Sequence, residues 1–308
     1  MLSEPENAGA RHPALRKYRD TFLLSGFSGA TVALVLDPAR PFVRKASNRR
    51  EGNASLKEQA LRQQELAKLV AGCASMPDVL DIGECDGLLY FDMPFIPSRD
   101  AVNFLSHGTF DGIIEFAERL ERLLERLASS PPVGDHPLPP SKGLVVDKLA
   151  QIRERTSAQF AAALAPLQSA VELMDDLVPG GHPTAAHGDL TFENILVDRT
   201  GGLWLIDTIP SPFDHYWIDW SKIFQECEGL WHAHRGRPLA RGVTWWLRQR
   251  MLGVATRLAP EYVSRHYILL GLTFARILPY AKTDADRAFV AKRVAECGQA
   301  ALEPMQAR

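Results

Sequence analysis

The stretch His187–Asp207 reads HGDLTFENILVDRTGGLWLID and is the most informative part of the 308-residue chain. Its pattern predicts, in order, a loop, a short strand, a tight turn and a returning strand: 187–194, Ile195–Val197, Asp198–Gly202 and Leu203–Ile206. Asp189 and Asn194 lie five residues apart on the loop. A β-hairpin would bring Asp207, at the end of the returning strand, back beside them. We therefore expect three oxygen-bearing side chains to converge there.

These side chains suit a magnesium ion and a phosphate group. Mg²⁺ prefers oxygen donors and shares its coordination shell with waters and substrate phosphates. A zinc site would need several His or Cys ligands, and only His187 is near. In phosphoryl transfer, one Asp orients or accepts the proton of the attacking hydroxyl, while an Asn and a second Asp hold the metal. The residues thus predict Asp189 as the base, with Asn194 and Asp207 at the metal.

The spacing H-x-D-x-x-x-x-N, followed by an Asp at the end of a strand, is the catalytic-loop signature of the kinase-like fold. HGD at 187–189, in place of HRD, resembles the aminoglycoside phosphotransferase and choline kinase group of small-molecule kinases. The resemblance implies an α+β protein-kinase-like fold of two lobes, with ATP and Mg²⁺ between them. The strand-rich N-terminal lobe would span 1–96, with five antiparallel strands, one helix and about fifteen flexible residues at its start. The mainly helical catalytic and substrate lobe would span 97–308.

The pattern along the rest of the chain agrees with this division. Before residue 100, short apolar runs and one helical segment predict a β-β-β-α-β-β order: Thr21–Ser25, Thr31–Asp37, Phe42–Ala46, Ser55–Val70, Val79–Ile82 and Leu88–Met93. After it, a helix over 111–128 and a proline-rich loop over 129–143 precede further helical segments over 144–177 and 217–301. We find no internal repeat.

The resemblance also implies where the nucleotide is held. Gly26, Ser28 and Gly29 lie between two predicted strands and fit the hairpin that covers the nucleotide. Lys45, in the third strand, fits the lysine that pairs with the α- and β-phosphates. Arg44 would point to the opposite face of that strand, so only one of the two can face the cleft.

The helix glutamate that would orient this lysine has several candidates. Glu58 is preferred because it lies nearer the helix start, and Glu65 lies two turns later on roughly the same face. Gln59 or Gln63 would be the alternative.

The segment around Met93 and Phe95 resembles the hinge, where backbone groups bind adenine and apolar side chains enclose the ring. An ordinary buried strand accounts for these residues equally well.

The segment after Asp207 separates small-molecule kinases from protein kinases. Asp219 resembles the Asp at the start of the next large helix and comes only twelve residues later, with no APE-like motif between. Gly188 replaces the arginine that would read a phosphorylated activation loop. We therefore disfavour a protein kinase, and we expect Asp219 and His187 to support the catalytic loop.

The sequence indicates the catalytic residues more clearly than the residues that bind the acceptor of the phosphate. Asp214, His215, Tyr216 and Trp217 are candidates for contact with a sugar-like or polyol substrate, although aromatic residues of this kind also suit the core of the helical lobe. Between residues 211 and 236, four acidic side chains stand against two basic ones. This is a mild excess for an aminoglycoside, which carries several positive charges.

We expect the acceptor to be a small hydroxyl compound: a sugar, amino sugar, polyol or amino alcohol. The hinge residues 91–93 and the helix Leu56–Leu66, with its paired glutamines, weakly resemble phosphotransferase-like proteins of bacterial surface-polysaccharide gene sets, which suggests that metabolic context. A pseudokinase that binds nucleotide without transfer is the main alternative.

Composition limits the partners and the compartment. The chain has 35 basic and 37 acidic residues, a net charge of −2, so it has no general positive field for nucleic acid. It has no apolar leader near its start and no apolar stretch long enough to span a membrane. Its four scattered cysteines suit a reducing cytoplasm. We expect a cytoplasmic enzyme with no nucleic-acid partner and no membrane insertion, and we leave its oligomeric state open.

Overall fold

A five-stranded antiparallel sheet forms the N-terminal part of the protein. The computed structural model describes residues 12–24 and 29–306. The sheet has the order β1-β2-β3-β5-β4, with β1 at Thr21–Leu24, β2 at Ala30–Val35, β3 at Phe42–Ser47, β4 at Asp81–Cys85 and β5 at Leu88–Pro94. β3 therefore lies at the centre of the sheet, between β2 and β5.

Helix α1 (Asn53–Val70) follows β3 and connects two hydrophobic cores. Leu56 and Ala60, in its first half, pack with the apolar side chains of the five-stranded sheet. Leu66 and Val70, in its second half, belong to the large core formed by the C-terminal helices. One amphipathic helix thus attaches the sheet to the rest of the molecule.

Residues 95–97 lead from β5 into a second, three-stranded antiparallel sheet. It contains β6 (Ser98–Asp100), β7 (Ile195–Asp198) and β8 (Leu203–Leu205) in that order. The described part of the chain contains nine further α-helices: α2 Ala101–His107, α3 Phe110–Ser129, α4 Lys142–Arg155, α5 Ala161–Leu173, α6 Trp217–Cys227, α7 Trp231–His234, α8 Arg241–Leu258, α9 Pro260–Ala275 and α10 Asp284–Gln306.

The predicted α+β class, with an antiparallel sheet followed by helices, is confirmed. The strand predicted at Val79–Ile82 is wrong in its bounds, because the observed β4 lies at Asp81–Cys85. Asp86 and Gly87 have φ values of 55° and 77° and form a two-residue turn that pairs Cys85 with Leu88. Turns with two positive φ angles match the twist of a hairpin, so this Asp-Gly pair sets the register.

Two short elements of the structure were not predicted. β6 has three residues and α2 has seven, and elements of this length carry almost no periodicity. α2 begins after Asp100, whose carboxylate accepts a hydrogen bond from the Asn103 N–H.

The prediction of about fifteen flexible residues at the chain start is wrong for residues 12–15. Ala14 and Leu15 are buried, and the Arg44 guanidinium donates a hydrogen bond to the Ala14 carbonyl at 2.6 Å. His12 Nε2 also lies 2.8 Å from the Ser47 carbonyl. Apolar burial and these polar contacts therefore hold the segment against the sheet.

None of the helices in the described ranges is long and apolar enough to cross a membrane.

Candidate active site

The loop before β7 holds Asp189 and Asn194 together. The Asn194 Nδ2 group donates hydrogen bonds to the Asp189 backbone carbonyl at 2.8 Å and to its carboxylate Oδ2 at 2.9 Å. The Ile206 N–H donates to the Asn194 carbonyl at 3.1 Å, which ties the loop to the segment after β8. The hairpin therefore brings Asp207, one residue beyond Ile206, next to the loop.

Asp207 contacts the first sheet through an ion pair. The Lys45 ammonium lies 2.8 Å from Asp207 Oδ1, and the Lys45 side chain is almost fully buried. Asp207 has a φ of 59°, a left-handed conformation that Asp adopts more readily than most residues. About a third of its side chain, 31%, remains exposed. An ion pair thus joins β3 of the first sheet to the end of the hairpin.

Lys222 is a residue of this site that the sequence interpretation missed. Its ammonium lies 2.9 Å from Asp189 Oδ1 and donates to Gln225 Oε1 at 3.2 Å. Burial raises the pKa of Asp189, but the charge and hydrogen bond of Lys222, together with weaker effects of other nearby groups, outweigh it, so the pKa lies below its ordinary value. Lys222 comes one helical turn after Asp219 in α6, and this spacing is the only sequence signal that could have indicated it.

Asp219 supports the start of the catalytic loop. Its carboxylate is buried and accepts hydrogen bonds from the His187 N–H at 2.7 Å and the Gly188 N–H at 2.9 Å. Burial raises the pKa of Asp219 to about 7, and the two N–H donors act to lower it. The His187 ring is also buried, and burial lowers its pKa to about 4, so it is neutral at physiological pH. Asp219 thus holds the start of the loop, and the His187 ring is buried at the same place.

The backbone at Gly188 accepts only glycine. Its φ is 87°, and a Cβ atom there would lie 2.0 Å from the Ile209 carbonyl oxygen. The Ile209 N–H also donates to the His187 carbonyl, so the two segments run in close contact. A side chain at position 188 would force this contact apart, which explains HGD in place of HRD.

The structure does not bring Glu58 to Lys45, which corrects the preferred helix glutamate. Glu58 and Glu65 are both exposed, and Glu65 accepts a hydrogen bond from the Gly134 N–H. With 3.6 residues per turn, both lie roughly 180–200° around α1 from buried Leu56. Lys45 pairs with Asp207 instead.

The two glutamines that were the alternatives are better placed in the interior. Gln63 is buried and donates to the Pro77 carbonyl at 2.6 Å. The Oε1 atom of Gln59 is buried without a hydrogen-bond partner.

Of the remaining candidates for nucleotide binding, three lie within the described residues and two lie outside them. Gly26 and Ser28 lie outside the described residues, and Gly29 is exposed at the start of β2 with open space around it. Met93 is buried in the core of the first sheet, whereas Phe95 is 41% exposed in the connection between the sheets.

The four candidate substrate residues after Asp207 are all buried. Asp214 accepts hydrogen bonds from Arg62 at 3.3 Å and from the Leu138 N–H at 3.0 Å. Burial lowers the pKa of His215 to about 4, and the Trp217 ring packs edge-on against Tyr262. The structure therefore gives these side chains a packing role, because the large core of the helical part encloses them.

The donors at the hairpin end have the chemistry of a magnesium site. Asn194 uses its Nδ2 group on Asp189, which leaves its amide oxygen for a cation. Within the described ranges, no residue donates a hydrogen bond to Asp207 Oδ2. No group of three or more His, Cys, Asp or Glu side chains in those ranges forms a separate metal site. A metal held here would therefore take part of its shell from water or phosphate oxygens.

Several solved structures share this fold. A Haemophilus somnus protein assigned as a fructosamine-3-kinase aligns over 91% of both chains with 13% identity and a TM-score of 0.59. The GDP complex of aminoglycoside 2′-phosphotransferase-IIIa aligns over 92% of this chain and 93% of its own, with 14% identity and a TM-score of 0.61. Spectinomycin phosphotransferase, in complex with ADP and spectinomycin, aligns over 94% of both chains with 13% identity and a TM-score of 0.52. At these identities the likeness shows the fold.

A family model identifies the chain itself. Residues 20–207 match the model described as the phosphotransferase enzyme family, and this range contains Lys45 and the whole loop and hairpin. No curated protein matches the chain. The match covers more than half of the sequence, so the chain belongs to the phosphotransferase enzyme family and is a small-molecule phosphotransferase with a protein-kinase-like α+β fold.

Proposed function

We propose that the protein transfers the γ-phosphate of ATP to a hydroxyl group of a small molecule, with Mg²⁺ as cofactor. The observation that carries this proposal is the position of two carboxylates on one loop and hairpin. Asp189 contacts both Asn194 and the Lys222 ammonium, and Asp207 forms an ion pair with Lys45. The first carboxylate suits proton transfer and the second suits phosphate and metal binding.

Asp189 would accept or orient the proton of the attacking hydroxyl. Lys222 supports that role, because its charge keeps the carboxylate ionised despite burial. Asn194 orients the same carboxylate through its Nδ2 group. His187 and Asp219 would hold the loop in place from below.

Nucleotide binding falls to residues on both sides of the cleft. Asn194 and Asp207 would hold Mg²⁺, which supplies charge neutralisation for the phosphates when bound. Lys45 would turn from Asp207 to the α- and β-phosphates. The loop with Gly26, Ser28 and Gly29 would cover the phosphates, and the connection with Met93 and Phe95 would bind the base.

The acceptor in this proposal is a sugar, amino sugar, polyol or amino alcohol. The support is the family membership, together with a fold shared with an aminoglycoside kinase and a protein assigned as a fructosamine kinase. A place in surface-polysaccharide metabolism rests on the sequence resemblance, and the neutral overall charge agrees with a cytoplasmic enzyme that binds neither nucleic acid nor membrane.

The test compares Asp189→Asn with the unchanged chain over a panel of hydroxyl metabolites with Mg-ATP. We expect transfer to fall by about 10²–10⁴, because removal of a general base commonly costs that factor. The Kd for ATP, measured by calorimetry, should stay within about threefold. Asp147→Asn, on the exposed face of α4, is the matched control. Full turnover by Asp189→Asn with the same acceptor would show that Asp189 is not the base.

A nucleotide-binding scaffold without transfer activity is the second candidate. The observation in its favour is that Lys45 pairs with Asp207 and that both helix glutamates point away. Magnesium-dependent ATP binding without phosphate transfer to any member of the panel would favour the scaffold over the kinase. Transfer of labelled phosphate to a polypeptide alone would instead indicate a protein kinase.

A further inference from the structure

Two basic side chains lie close to the proposed base, and a third lies close to one of them. Lys222 of α6 is paired with Asp189. Arg276 follows the end of α9, and its charge lowers the pKa of both Asp189 and Lys148 of α4. α9 packs against both α6 and α4, so Arg276, at the end of α9, lies within Coulombic range of both groups. Lys222 and Arg276 therefore place two positive charges near Asp189, and Lys148 adds a third charge near Arg276.

The Arg276 guanidinium has a buried hydrogen-bond donor without an acceptor. Its Nη1 atom is removed from solvent and has no hydrogen-bond partner. Burial lowers the pKa of Arg276, and Asp189 is the strongest of the charges that oppose this effect. Yet Asp189 already pairs with Lys222, and the other nearby carboxylate, Asp219, accepts the N–H groups of the catalytic loop. In the described part of the chain, no carboxylate forms an ion pair with Arg276.

Lys148, like Arg276, has no acidic partner in the described part of the chain. It is half-buried, and burial followed by the charges of Arg276 and Arg155 lowers its pKa. Its hydrogen bond to the neutral Gln151 amide is long, at 3.5 Å. Over the described ranges it has no acidic partner within ion-pair distance. Two like charges with no acid between them repel each other, and partial burial strengthens that repulsion.

An anion at this position would satisfy all of these groups. It would accept a hydrogen bond from Arg276 Nη1 and would neutralise the repulsion between Arg276 and Lys148. A cationic acceptor, such as an amino sugar, would add to the repulsion. We propose that the acceptor is a small hydroxyl compound with an acid group, carboxylate or phosphate, which Arg276 and Lys148 bind while its hydroxyl faces Asp189. This inference rests on the proposed function and narrows its substrate class.

The experiment measures ADP release by the full chain with Mg-ATP and two matched sets of acceptors. One set is glucose, glucosamine and glucuronate, and the other is glycerol, serinol, glycerate and glycerol 3-phosphate. We expect kcat/KM for an acid member to exceed that of its neutral relative by at least about tenfold, which is the scale of one charge-assisted hydrogen bond. The amino member should be the poorest acceptor in each set.

Substitutions test whether Arg276 and Lys148 cause the preference for acid acceptors. Arg276→Gln and Lys148→Gln should each raise KM for the acid acceptor about tenfold, while KM for ATP stays unchanged, because Lys45 lies on the nucleotide side. Arg276→Lys should restore part of the preference, which shows that Arg276→Gln fails through charge and not through folding. Arg153→Gln, on an exposed position of α4, is the control and should behave like the unchanged chain.

Two results would overturn the inference while the proposed function stands. One is transfer to neutral or amino acceptors that equals or exceeds transfer to acids. The other is an acid preference that survives in both glutamine variants. Calorimetry with glucuronate and a non-hydrolysable ATP analogue gives a readout independent of turnover, and Arg276→Gln should weaken this binding. Absence of transfer to every acceptor would instead count against the proposed function itself.

Discussion

The conformation of Gly188 illustrates how a single backbone position defines the catalytic loop. Two separate costs oppose any side chain there: the left-handed backbone, with a φ of 87°, and the contact with the Ile209 carbonyl. The backbone alone costs a non-glycine residue about 1–2 kcal/mol. The contact adds to this, because neither the loop nor the segment at Ile209 can move without breaking hydrogen bonds to Asp219 or His187.

Gly188→Ala should therefore lower both stability and transfer. Gly236 is a matched control, since its φ of 79° is similar but a Cβ atom there would meet nothing within 4 Å. We expect Gly236→Ala to lose only the backbone cost, and Gly188→Ala to lose more than this in urea denaturation and to reduce kcat as well. Equal losses of stability in the two variants would refute the steric contact.

At the scale of elements, the β7–β8 hairpin depends on Asp198. This carboxylate accepts four hydrogen bonds, from the Thr200 N–H, the Thr200 hydroxyl, the Gly202 N–H and the Trp204 indole N–H. These bonds outweigh the effect of burial and lower the pKa of Asp198 from 3.8 to about 2. The turn that returns the chain to Asp207 is thus held by one ionised side chain.

This pKa predicts a pH dependence with a definite sign. Because the folded-state value is below the unfolded one, Asp198 stabilises the fold fully above pH 4 and loses this effect as the pH falls towards 2. Asp198→Asn should cost about 1–2 kcal/mol at pH 7, since the indole N–H loses its acceptor. The difference from the unchanged chain should shrink between pH 4 and pH 2 in urea denaturation. A difference that is the same at every pH, as Asp147→Asn should give, would contradict this role.

The hairpin also shows what the sequence could predict. The loop, the two strands and Asp207 were predictable because their residues are close in sequence and alternate regularly. The predicted strand Leu203–Ile206 ended one residue too late, since Asp207 already turns into the left-handed region. Lys222 and Arg276 approach Asp189 from distant parts of the sequence, and no local pattern encodes such a contact. Glu58 was misplaced because nearness to the helix start does not determine which face a residue occupies. Counted from buried Leu56, Glu58 lies on the opposite face of α1.

At the scale of the whole molecule, Arg62 links α1, which packs on the first sheet, to the helical part. It lies in α1, and its guanidinium donates to the Ala186 carbonyl at 2.8 Å and to Asp214 Oδ1 at 3.3 Å. Both partners are buried, and Ala186 directly precedes the catalytic loop. We propose that the two lobes divide after residue 96, so that Arg62 joins one lobe to the other.

Arg62→Met should destabilise the fold by about 3–5 kcal/mol, because it leaves the Asp214 carboxylate buried without its partner. Lys57→Met, on the exposed face of the same helix, is the control and should change stability little. In the Arg62→Met background, Asp214→Asn should cost less than it does alone, and urea denaturation of the four chains measures this coupling. Additive effects of the two substitutions would show that Arg62 and Asp214 do not act together.

The contact at Gly188 also has an evolutionary consequence. A single-base change converts a glycine codon into an arginine codon, so an HRD sequence is one mutation away from HGD. That mutation would place a side chain against the Ile209 carbonyl on a left-handed backbone. A descendant of this chain would have to rebuild the segment after Asp207 before it could accept the arginine. The folded backbone thus separates this lineage from kinases controlled by loop phosphorylation, although their codons are neighbours.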